Sequence, residues 1–417
     1  MLKQIVTLLG ALTIIARPAY AQSPNNAGIV VIVSDQSGAV VTDAKVSVTN
    51  NQTGAVREAA SDHYGTASFP ALPLTGTYTV TISKQGFGTE TSGDINLRSG
   101  EVATLKVTLL VGTATAEITV YGTDQRVRAD AQIGRRLDTA TIDETPILGR
   151  KITTLPLLNS AFRQGKGTGD LFVNATYFIT GSGSRRTTTY MLDGASNDEG
   201  WGRQTMLTTV PIGAVQEVAV LANAFSAEFG WTAGPAMNIV TKSGTNSIRG
   251  EGIYLGRPGR LQAKTFSPKG YCPTSVPTCT TPSTLVAINP ADLPDELNQV
   301  SGSVGGPIVK DKTFYYATAD YTHQDRTTYL SSTLPAFVLP ANGSLAYVGR
   351  YRQKLVNARL DHKLTAAQTL MVRGNYDHFH DTNPNDAVVG TNAPTVARRY
   401  TRGSRSVGVN HTTVVNT

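Results

Sequence analysis

The feature that most constrains this chain is a strict alternation of side chains in its C-terminal third. In Thr313–Thr322, one face of the predicted strand carries Tyr315, Ala317, Ala319 and Tyr321. The opposite face carries Tyr316, Thr318, Asp320 and Thr322. Because successive strand side chains point to opposite faces, the pattern predicts a strand with one apolar and one polar surface. Tyrosines at both ends of the apolar row are typical of a membrane-spanning barrel.

Two later runs repeat the alternation across a short turn. Leu355–Asp361 and Leu370–Asp377 flank the turn Thr365–Gln368, which predicts an antiparallel hairpin whose faces match. The side chains predicted to point inward are Arg359, Asp361, Arg373 and Asp377. No segment approaches 18 uninterrupted apolar residues, so no transmembrane helix is expected. Residues 248–417 are therefore predicted to form antiparallel barrel strands, each needing about 9 to 11 residues.

The first 21 residues predict export by a cleaved signal peptide. Lys3 provides a positive n-region, Ile5–Ile15 an apolar h-region, and Ala19-Tyr20-Ala21 a small-x-small cleavage site. The expected location is the cell outer membrane. The net charge is +7, but the positive residues are scattered between strand-like runs. Because an exported chain rarely meets DNA, we expect no nucleic-acid partner.

Residues 22–112 are predicted to form a small β-sandwich. Short runs of β-branched and aromatic residues alternate with turn signals, a spacing that favours two sheets around one core. The predicted strands are Ile29–Ser34, Lys45–Thr49, Thr66–Phe69, Tyr78–Ser83 and Val102–Val111. The pattern VxDxSGAxVxxAxVxVxN at 33–50, followed by GTYTVTISKQGF at 76–87, resembles a carboxypeptidase-regulatory-like domain. That resemblance implies an Ig-like sandwich without a peptidase centre.

Residues 113–137 are predicted to form a linker that contains one short β-type run. The residues of this run are Glu117, Ile118, Thr119, Val120 and Tyr121. One interpretation makes it the last strand of the sandwich. The other makes it an exposed segment that pairs with a partner as an added strand, since main-chain hydrogen bonds supply the affinity in that mode. A run this short does not separate the two interpretations.

Residues 138–247 contain three patterns in a fixed order: a Pro-apolar-apolar-Gly-Arg turn, a strand with an Asp-Gly hairpin, and a Glu-Phe-Gly turn between apolar strands. The residues that carry them are Pro146, Gly149, Arg150, Asp193, Gly194, Glu228, Phe229 and Gly230. In this order they resemble the α/β plug domain of TonB-dependent outer-membrane receptors. The chain as a whole resembles the subfamily with an N-terminal carboxypeptidase-regulatory-like domain.

This resemblance implies a mainly β protein with an Ig-like sandwich, an α/β plug and the first strands of a transmembrane antiparallel barrel. It also implies uptake of a ligand across the outer membrane by energy-coupled movement of the plug. The implied partners are TonB at Glu117–Tyr121, outer-membrane lipid, and an extracellular ligand such as a glycan, peptide or metal chelate. Asp193-Gly194 is interpreted as a structural turn or as a contact of a plug loop.

The sequence contains few groups suited to catalysis or to metal binding. Cys272 and Cys279 lie in a Pro/Thr/Ser-rich loop of an exported chain and predict a local disulfide. His378 and His380 would share one face of a strand, but they run into a polar loop, so no metal and no cofactor is expected. The sequence has no HExxH or GxSxG pattern, so we expect a protein that is not an enzyme.

The length of the C-terminal region raises a question about completeness. Plugged receptors have 22-stranded barrels, whereas the residues after Ser247 provide about six to eight strands at roughly 10 residues each. The sequence is therefore interpreted as an N-terminal fragment of a receptor. Two alternatives stay open: a periplasmic or surface module that binds carbohydrate or peptide without a functional barrel, and a small complete barrel of about eight strands.

Overall fold

Strands dominate the computed structural model of this protein, and the mainly β fold class is confirmed. Among the residues that the structure describes, the α-helix is α1 (Thr139–Glu144). No helix among those residues is long and apolar enough to cross a membrane. The structure describes residues 25–112, 116–117, 133–145, 150–158, 162–164, 178–180, 188–198, 206–223, 234–261, 270–271, 286–287, 295–330, 334–338, 345–383 and 387–415. The predicted signal peptide, residues 1–21, lies outside these ranges.

The N-terminal region is a sandwich of two sheets, as the sequence predicts. Its strands are β1 (Ala27–Asp35), β2 (Lys45–Asn50), β3 (Val56–Ala60), β4 (Thr66–Leu72), β5 (Thr77–Ser83), β6 (Glu90–Asn96), β7 (Val102–Leu109) and β8 (Ala116–Glu117). One sheet has the order β4-β1-β7 and the other the order β3-β2-β5-β6-β8. The alternating side chains of β2 and β5 point into one core between the sheets, where Val46, Val48, Tyr78, Val80 and Ile82 are buried.

Strand β8 lies in the predicted linker between the sandwich and the next region. Ala116 and Glu117 pair with Glu90 and Thr91 of β6 in a parallel arrangement. The start of the Glu117–Tyr121 run is therefore an added strand at the edge of the sandwich sheet. Ile118, Thr119, Val120 and Tyr121 lie outside the described residues.

The central domain, residues 133–247, contains a mixed sheet with the order β13-β12-β15-β14-β9. Its strands are β9 (Ile133–Asp138), β10 (Phe162–Gln164), β11 (Phe178–Thr180), β12 (Thr189–Leu192), β13 (Ala195–Ser196), β14 (Val215–Asn223) and β15 (Ala236–Thr241). Strand β9 pairs with β14 in an antiparallel arrangement. Residues 133–137, which the sequence assigned to the linker, thus belong to the central sheet, and the domain begins earlier than predicted.

The C-terminal sheet has the sequential antiparallel order β16-β19-β20-β21-β22-β23. The strands of this region are β16 (Arg249–Arg257), β17 (Gly270–Tyr271), β18 (Val286–Ala287), β19 (Glu296–Val309), β20 (Thr313–Tyr329), β21 (Ala346–Thr365), β22 (Gln368–Asp381) and β23 (Tyr400–Thr413). Short turns join β19 to β20 and β21 to β22 at one end of the sheet, here called the short-turn end. The opposite end is called the loop end.

The register of the C-terminal sheet agrees with the predicted alternation. Val356 pairs with Tyr376, and Leu360 pairs with Val372, so these apolar side chains share the outward face. The inward face contacts the central domain: the Tyr316 hydroxyl donates to the Gly213 carbonyl at 3.0 Å. The sheet therefore holds the central domain on its polar face and exposes its apolar face.

The sandwich lies at the short-turn end of the sheet. The Asn246 amide N–H donates to the Gln52 carbonyl at 3.0 Å, and the Asn246 side chain donates to Asp311 Oδ1 at 2.6 Å. Val240 of β15 belongs to the buried apolar cluster of the sandwich. The three regions thus meet at one end of the molecule, which fixes the surroundings of the charged sites described next.

Candidate functional site

Asp193 is the centre of a buried charge cluster between the central domain and the C-terminal sheet. It follows β12 in a tight turn, with φ of 48° at Asp193 and 73° at Gly194. Aspartate tolerates this left-handed region better than most residues, and glycine adopts it freely. The turn aims the carboxylate at Thr241 of β15, whose N–H donates at 2.8 Å and whose hydroxyl donates at 2.9 Å. Asp193 therefore connects two strands of the central sheet.

Two arginines of the C-terminal sheet complete the charge balance of Asp193. Arg373 Nε lies 2.8 Å from Asp193 Oδ2, and Arg359 Nη1 lies 3.6 Å from Oδ1. The Asp193 and Arg373 side chains are 2% and 4% exposed, so bulk water solvates neither charge. Burying a charge is costly unless it is paired and hydrogen-bonded. Each partner is therefore needed by the other in the assembled state.

Arg359 extends the cluster along the interface. Its Nε and Nη2 atoms bind the two oxygens of Asp361 at 2.8 Å each, in the bidentate geometry that favours arginine–carboxylate pairs. Its Nη1 atom donates to the Thr241 carbonyl at 2.6 Å. The Ser243 hydroxyl donates to Asp361 Oδ2 at 2.6 Å. Two carboxylates and two guanidinium groups thus balance in charge across the boundary between the domains.

Other contacts between the described residues of the central domain and the sheet are also polar. Asp377 Oδ2 accepts the Thr209 N–H at 3.1 Å, and the Ser404 hydroxyl donates to Thr208 Oγ1 at 3.2 Å. The Arg402 guanidinium donates to the carbonyls of Met206 and Leu207. The central domain is therefore held to the sheet by hydrogen bonds and ion pairs. Its own apolar core is separate and is built on β9, β12, β14 and β15.

Gly244 lies at a close backbone approach between the central domain and the sheet. A Cβ atom at this position would clash with the Tyr315 carbonyl oxygen and lie 2.7 Å from the Gly306 carbonyl oxygen. Only glycine leaves room for this contact. The Thr-Lys-Ser-Gly-Thr-Asn turn, residues 241–246, therefore lies directly against β19 and β20.

Glu217 is a second buried carboxylate, on the side of the central domain that faces the sandwich. It is 3% exposed, and its Oε2 atom accepts the Ser99 N–H of the sandwich at 3.2 Å. Burial raises the pKa of Glu217 to about 7, although the Ser99 hydrogen bond and the charges of Arg136 and Arg98 oppose the shift. The nearest ion pair across this boundary, Arg136 with Glu101, spans 3.7 Å. Glu217 thus has weaker compensation than Asp193.

Arg150 and Lys151 lie where the central domain approaches the middle of the sheet. Arg150 has a φ of 48° and lines a small cleft with Asp320 and Gln353. The Lys151 ammonium lies 4.9 Å above the ring centroid of Tyr351. Burial, reinforced by the Arg326 charge, lowers the pKa of Lys151 to about 8. This end of the domain therefore adds positive charge to the boundary.

The structure describes only some of the predicted site residues. Arg150, Asp193 and Gly194 are described; Asp193 and Gly194 lie in a turn, and Asp193 contacts the sheet through Arg373. Glu117 lies in β8. The residues outside the described ranges are Ile118, Thr119, Val120, Tyr121, Pro146, Gly149, Glu228, Phe229, Gly230, Cys272 and Cys279. The predicted disulfide is among the expectations that fall there.

Sequence reasoning missed the two interdomain roles. Arg359 and Arg373 were predicted to point inward, but they were not assigned as partners of Asp193, and Glu217 was not connected with the sandwich. The arginines on the inward face could have indicated these roles, because a buried charge requires a charged or polar partner.

The polar group with the best geometry for a metal among the described residues is Glu296, His323 and Asp325. His323 Nε2 lies 3.5 Å from Glu296 and 3.7 Å from Asp325. However, Arg352 Nη1 lies 2.7 Å from Asp325 Oδ1 and already neutralises that carboxylate. His378 and His380, considered from the sequence, share the outward face of β22.

The fold and these contacts define a β-sandwich followed by a domain enclosed on one side by barrel strands, and comparisons with known proteins agree with this class. Residues 28–110 match the carboxypeptidase regulatory-like domain family. Residues 240–350 match the outer membrane beta barrel domain family. The resemblance predicted from the sequence is confirmed, since the chain combines these two domains and is similar in sequence to a TonB-dependent transporter.

Three outer-membrane proteins align with this chain over part of their length. The chain is 24% identical over 323 residues to the TonB-dependent transporter Oar of Myxococcus xanthus, covering 75% of this chain and 28% of the transporter. The outer membrane transporter YddB of Escherichia coli aligns with a TM-score of 0.48 and 13% identity, over 68% of this chain and 37% of YddB. The ferric enterobactin receptor of Pseudomonas aeruginosa aligns with a TM-score of 0.42 and 15% identity, over 66% and 38%. The chain therefore spans well under half the length of these relatives.

Proposed function

We propose that this chain is the front part of a TonB-dependent outer-membrane transporter and that its central domain is the plug. The observation that carries the proposal is the buried cluster in which Asp193 of the central domain lies between Arg359 and Arg373 of the sheet. The similarity to an outer-membrane barrel family and to a TonB-dependent transporter supports it. The proposed location is accordingly the outer membrane, with the sandwich on the periplasmic side.

The nature of the boundary supports movement of the plug as a unit. Net hydrogen-bond contributions are only about 0.5–1.5 kcal/mol each, because water replaces the lost partner when a contact opens. The apolar core of the central domain, in contrast, lies within that domain and does not have to be exposed. A pulling force can therefore separate the plug from the inner wall while the plug keeps its own fold.

The proposed cycle has three steps. A ligand such as a glycan, peptide or metal chelate binds from outside, where the plug turns around Pro146–Arg150 and Glu228–Gly230 are proposed to contribute. TonB pairs with Glu117–Tyr121 from the periplasm by strand addition, a mode that relies on main-chain hydrogen bonds. Force on this segment then separates Asp193 from Arg359 and Arg373 and opens a path along the polar wall.

The segment proposed for TonB begins at the sandwich edge. Since Ala116 and Glu117 already pair with β6, the same stretch joins the sandwich sheet to the proposed site of pulling. Force applied at Ile118–Tyr121 would reach β6 through this pairing and reach the plug through β9. Both connections are on the periplasmic side in the proposed orientation.

Cross-linking to TonB tests this proposal. A photo-reactive residue at Thr119 is expected to give a covalent product with TonB in the outer-membrane fraction of intact cells. Ile118→Pro removes a backbone donor from the strand and is expected to abolish that product. Ala129→Pro, farther along the same linker and outside the segment, serves as the matched control and should leave it intact. Equal cross-linking in both variants would show that this segment does not bind TonB.

A further inference from the structure

A cavity of about 430 Å³, here called the junction cavity, lies where the sandwich, the central domain and the C-terminal sheet meet at the short-turn end. Its lining includes Leu72 of β4, Val240 of β15 and Phe314 of β20, whose side chains are largely buried. Small-molecule sites have volumes of about 300–1,000 Å³ and often lie between domains. The junction cavity therefore has the size and the apolar wall to bury the body of a small molecule.

Three cations line the junction cavity together with these apolar residues. Arg57 lies on β3 of the sandwich, Lys312 lies in the turn between β19 and β20, and Lys363 lies on β21. Lys363 is within electrostatic range of Arg57, although the two come from different regions of the molecule. Arg57 and Lys363 are half-buried, whereas Lys312 is exposed. Positive charge thus extends from inside the cavity to its entrance.

These cations lack close negative partners. The Arg57 guanidinium donates to the carbonyls of Pro70 and Ala71 at 2.6 and 3.3 Å, and both acceptors are uncharged. The ammonium groups of Lys312 and Lys363 make no hydrogen bond and no ion pair with the residues that the structure describes. Their charges are therefore available to a ligand, and neither ammonium group supports the fold through such a contact.

The carboxylates of the cavity do not neutralise the three cations. Asp193 and Asp361 are already paired with arginines of the sheet. Asp311 accepts a hydrogen bond from the Asn246 side chain at 2.6 Å. Among the described residues of the lining, three cations thus face one carboxylate without an arginine partner, an excess of two positive charges. An opposite charge nearby favours the charged form of such groups and a like charge opposes it, so an anion bound among them is stabilising.

We propose that the junction cavity binds a small organic dianion with an apolar body, of which a phosphate monoester is the simplest kind. The charged head lies among Arg57, Lys312 and Lys363, since hydrogen bonds between a cation and an oxyanion are the strong ones. The apolar body lies against Leu72 and Val240. This site is at the opposite end of the sheet from the loop end, so it is separate from the place where a transported ligand is proposed to enter.

Binding at this site stabilises the assembled junction. The cavity is built from all three regions, so the complete site exists only while the sandwich, the central domain and the sheet are in contact. A ligand that binds one state of a protein and not another shifts the equilibrium toward the state that it binds. The dianion therefore holds the sandwich against the other two regions.

Isothermal titration calorimetry of the full chain in detergent tests the proposal. The probes are α-naphthyl phosphate, which is largely dianionic at neutral pH, and α-naphthol, which has the same rings without the phosphate. The unchanged protein is expected to bind the phosphate at least tenfold more tightly than the naphthol. The variant K312Q/K363Q is expected to weaken binding of the phosphate at least tenfold, which corresponds to about 1.4 kcal/mol.

The matched control is K106Q/K310Q. It also removes two positive charges, but both lysines are exposed and lie outside the lining of the junction cavity. The control should bind α-naphthyl phosphate as the unchanged protein does. Equal affinity in K312Q/K363Q and the unchanged protein overturns the proposal, and so does an equal loss in both variants, which would assign the attraction to net charge.

A second measurement does not depend on the variants. Saturating α-naphthyl phosphate is expected to raise the urea midpoint of the unchanged protein, because the probe binds the assembled junction and not the unfolded chain. An unchanged midpoint, or an equal rise with α-naphthol, overturns the proposal. None of these outcomes alters the cross-link to TonB that the proposed transport function predicts, so the two proposals fail independently.

Discussion

The central domain buries one carboxylate on each of its two boundaries, and the two are compensated differently. Asp193 faces the C-terminal sheet, where Arg373 Nε is 2.8 Å away and Thr241 donates two hydrogen bonds. Glu217 faces the sandwich, where its Oε2 atom accepts one backbone N–H at 3.2 Å and its Oε1 atom lacks a hydrogen-bond partner among the described residues. The two carboxylates are buried to a similar extent, but Asp193 has closer positive charges and more hydrogen-bond donors than Glu217.

Because the two carboxylates are compensated differently, we expect the two boundaries to respond differently to mutation and to pH. Removing one member of a well-paired buried cluster leaves the remaining charges without compensation, so the boundary with the sheet depends strongly on side-chain identity. A poorly compensated carboxylate instead takes up a proton, so the boundary with the sandwich depends on pH. The plug proposed here is thus anchored by charge pairs toward the barrel and by a protonatable group toward the periplasm.

Asp193→Ala is expected to have the largest effect on stability. Arg359 and Arg373 would keep their buried charges and lose a shared partner, which costs about 3–5 kcal/mol. Both tryptophans of the chain, Trp201 and Trp231, are in the central domain. Urea unfolding of the purified protein, followed by tryptophan fluorescence, therefore reports on this domain.

The control for this prediction is Asp143→Ala. Asp143 is an exposed carboxylate on α1 of the same domain, so its removal should change the urea midpoint little. Similar shifts for Asp193→Ala and Asp143→Ala would show that the buried cluster does not anchor the central domain to the sheet.

Glu217 predicts the next largest effect, a loss of stability as pH rises. Burial raises the pKa of Glu217 to about 7 in the folded protein, from its ordinary value of 4.5. The protonated form is therefore favoured by folding. The stabilisation is fully present below pH 4.5 and is lost as pH increases to about 7. At about 1.4 kcal/mol per pKa unit, the loss is roughly 3 kcal/mol.

Glu217→Gln tests this sign. Glutamine keeps an oxygen that accepts the Ser99 N–H but does not ionise, so the variant should exceed the unchanged protein in stability at pH 8 and equal it near pH 4.5. The difference between the two urea midpoints across this pH range isolates Glu217 from Arg98, Arg136 and Glu101, which surround it. A difference that stays constant with pH would contradict the assignment.

Gly244→Ala is expected to have a smaller effect, at the boundary with the sheet. The added methyl group would clash with the Tyr315 carbonyl, and such overpacking costs about 1–3 kcal/mol. Gly252→Ala is the matched control, because a Cβ at Gly252 meets no atom within 4 Å. Equal urea midpoints for the two variants would show that residues 241–246 do not lie tightly against β19 and β20.

The alternation of polar and apolar side chains in the sheet could be predicted from the sequence. Most of the residues that its inward face contacts could not. The period of two in Thr313–Thr322 is a local property, so the sidedness of β20 could be predicted residue by residue. The pairing of Asp193 with Arg373 joins residues far apart in the chain, and nothing local specifies it. Strands β3 (Val56–Ala60) and β6 (Glu90–Asn96) were missed because their sequences are polar, and pairing with β2 and β5 determines their conformation.

Arg98→Gln is expected to have the smallest effect, although Arg98 also lies at the boundary with the sandwich. Its Nη2 atom is 3.9 Å from Asp138 Oδ2, and the two side chains are 25% and 47% exposed. Water screens a pair of this kind, so its loss should cost less than about 1 kcal/mol. Measured beside Glu217→Gln, Arg98→Gln distinguishes charge in general from burial at this boundary. A shift as large as that of Glu217→Gln would mean that surface charge, and not the buried carboxylate, controls docking of the sandwich.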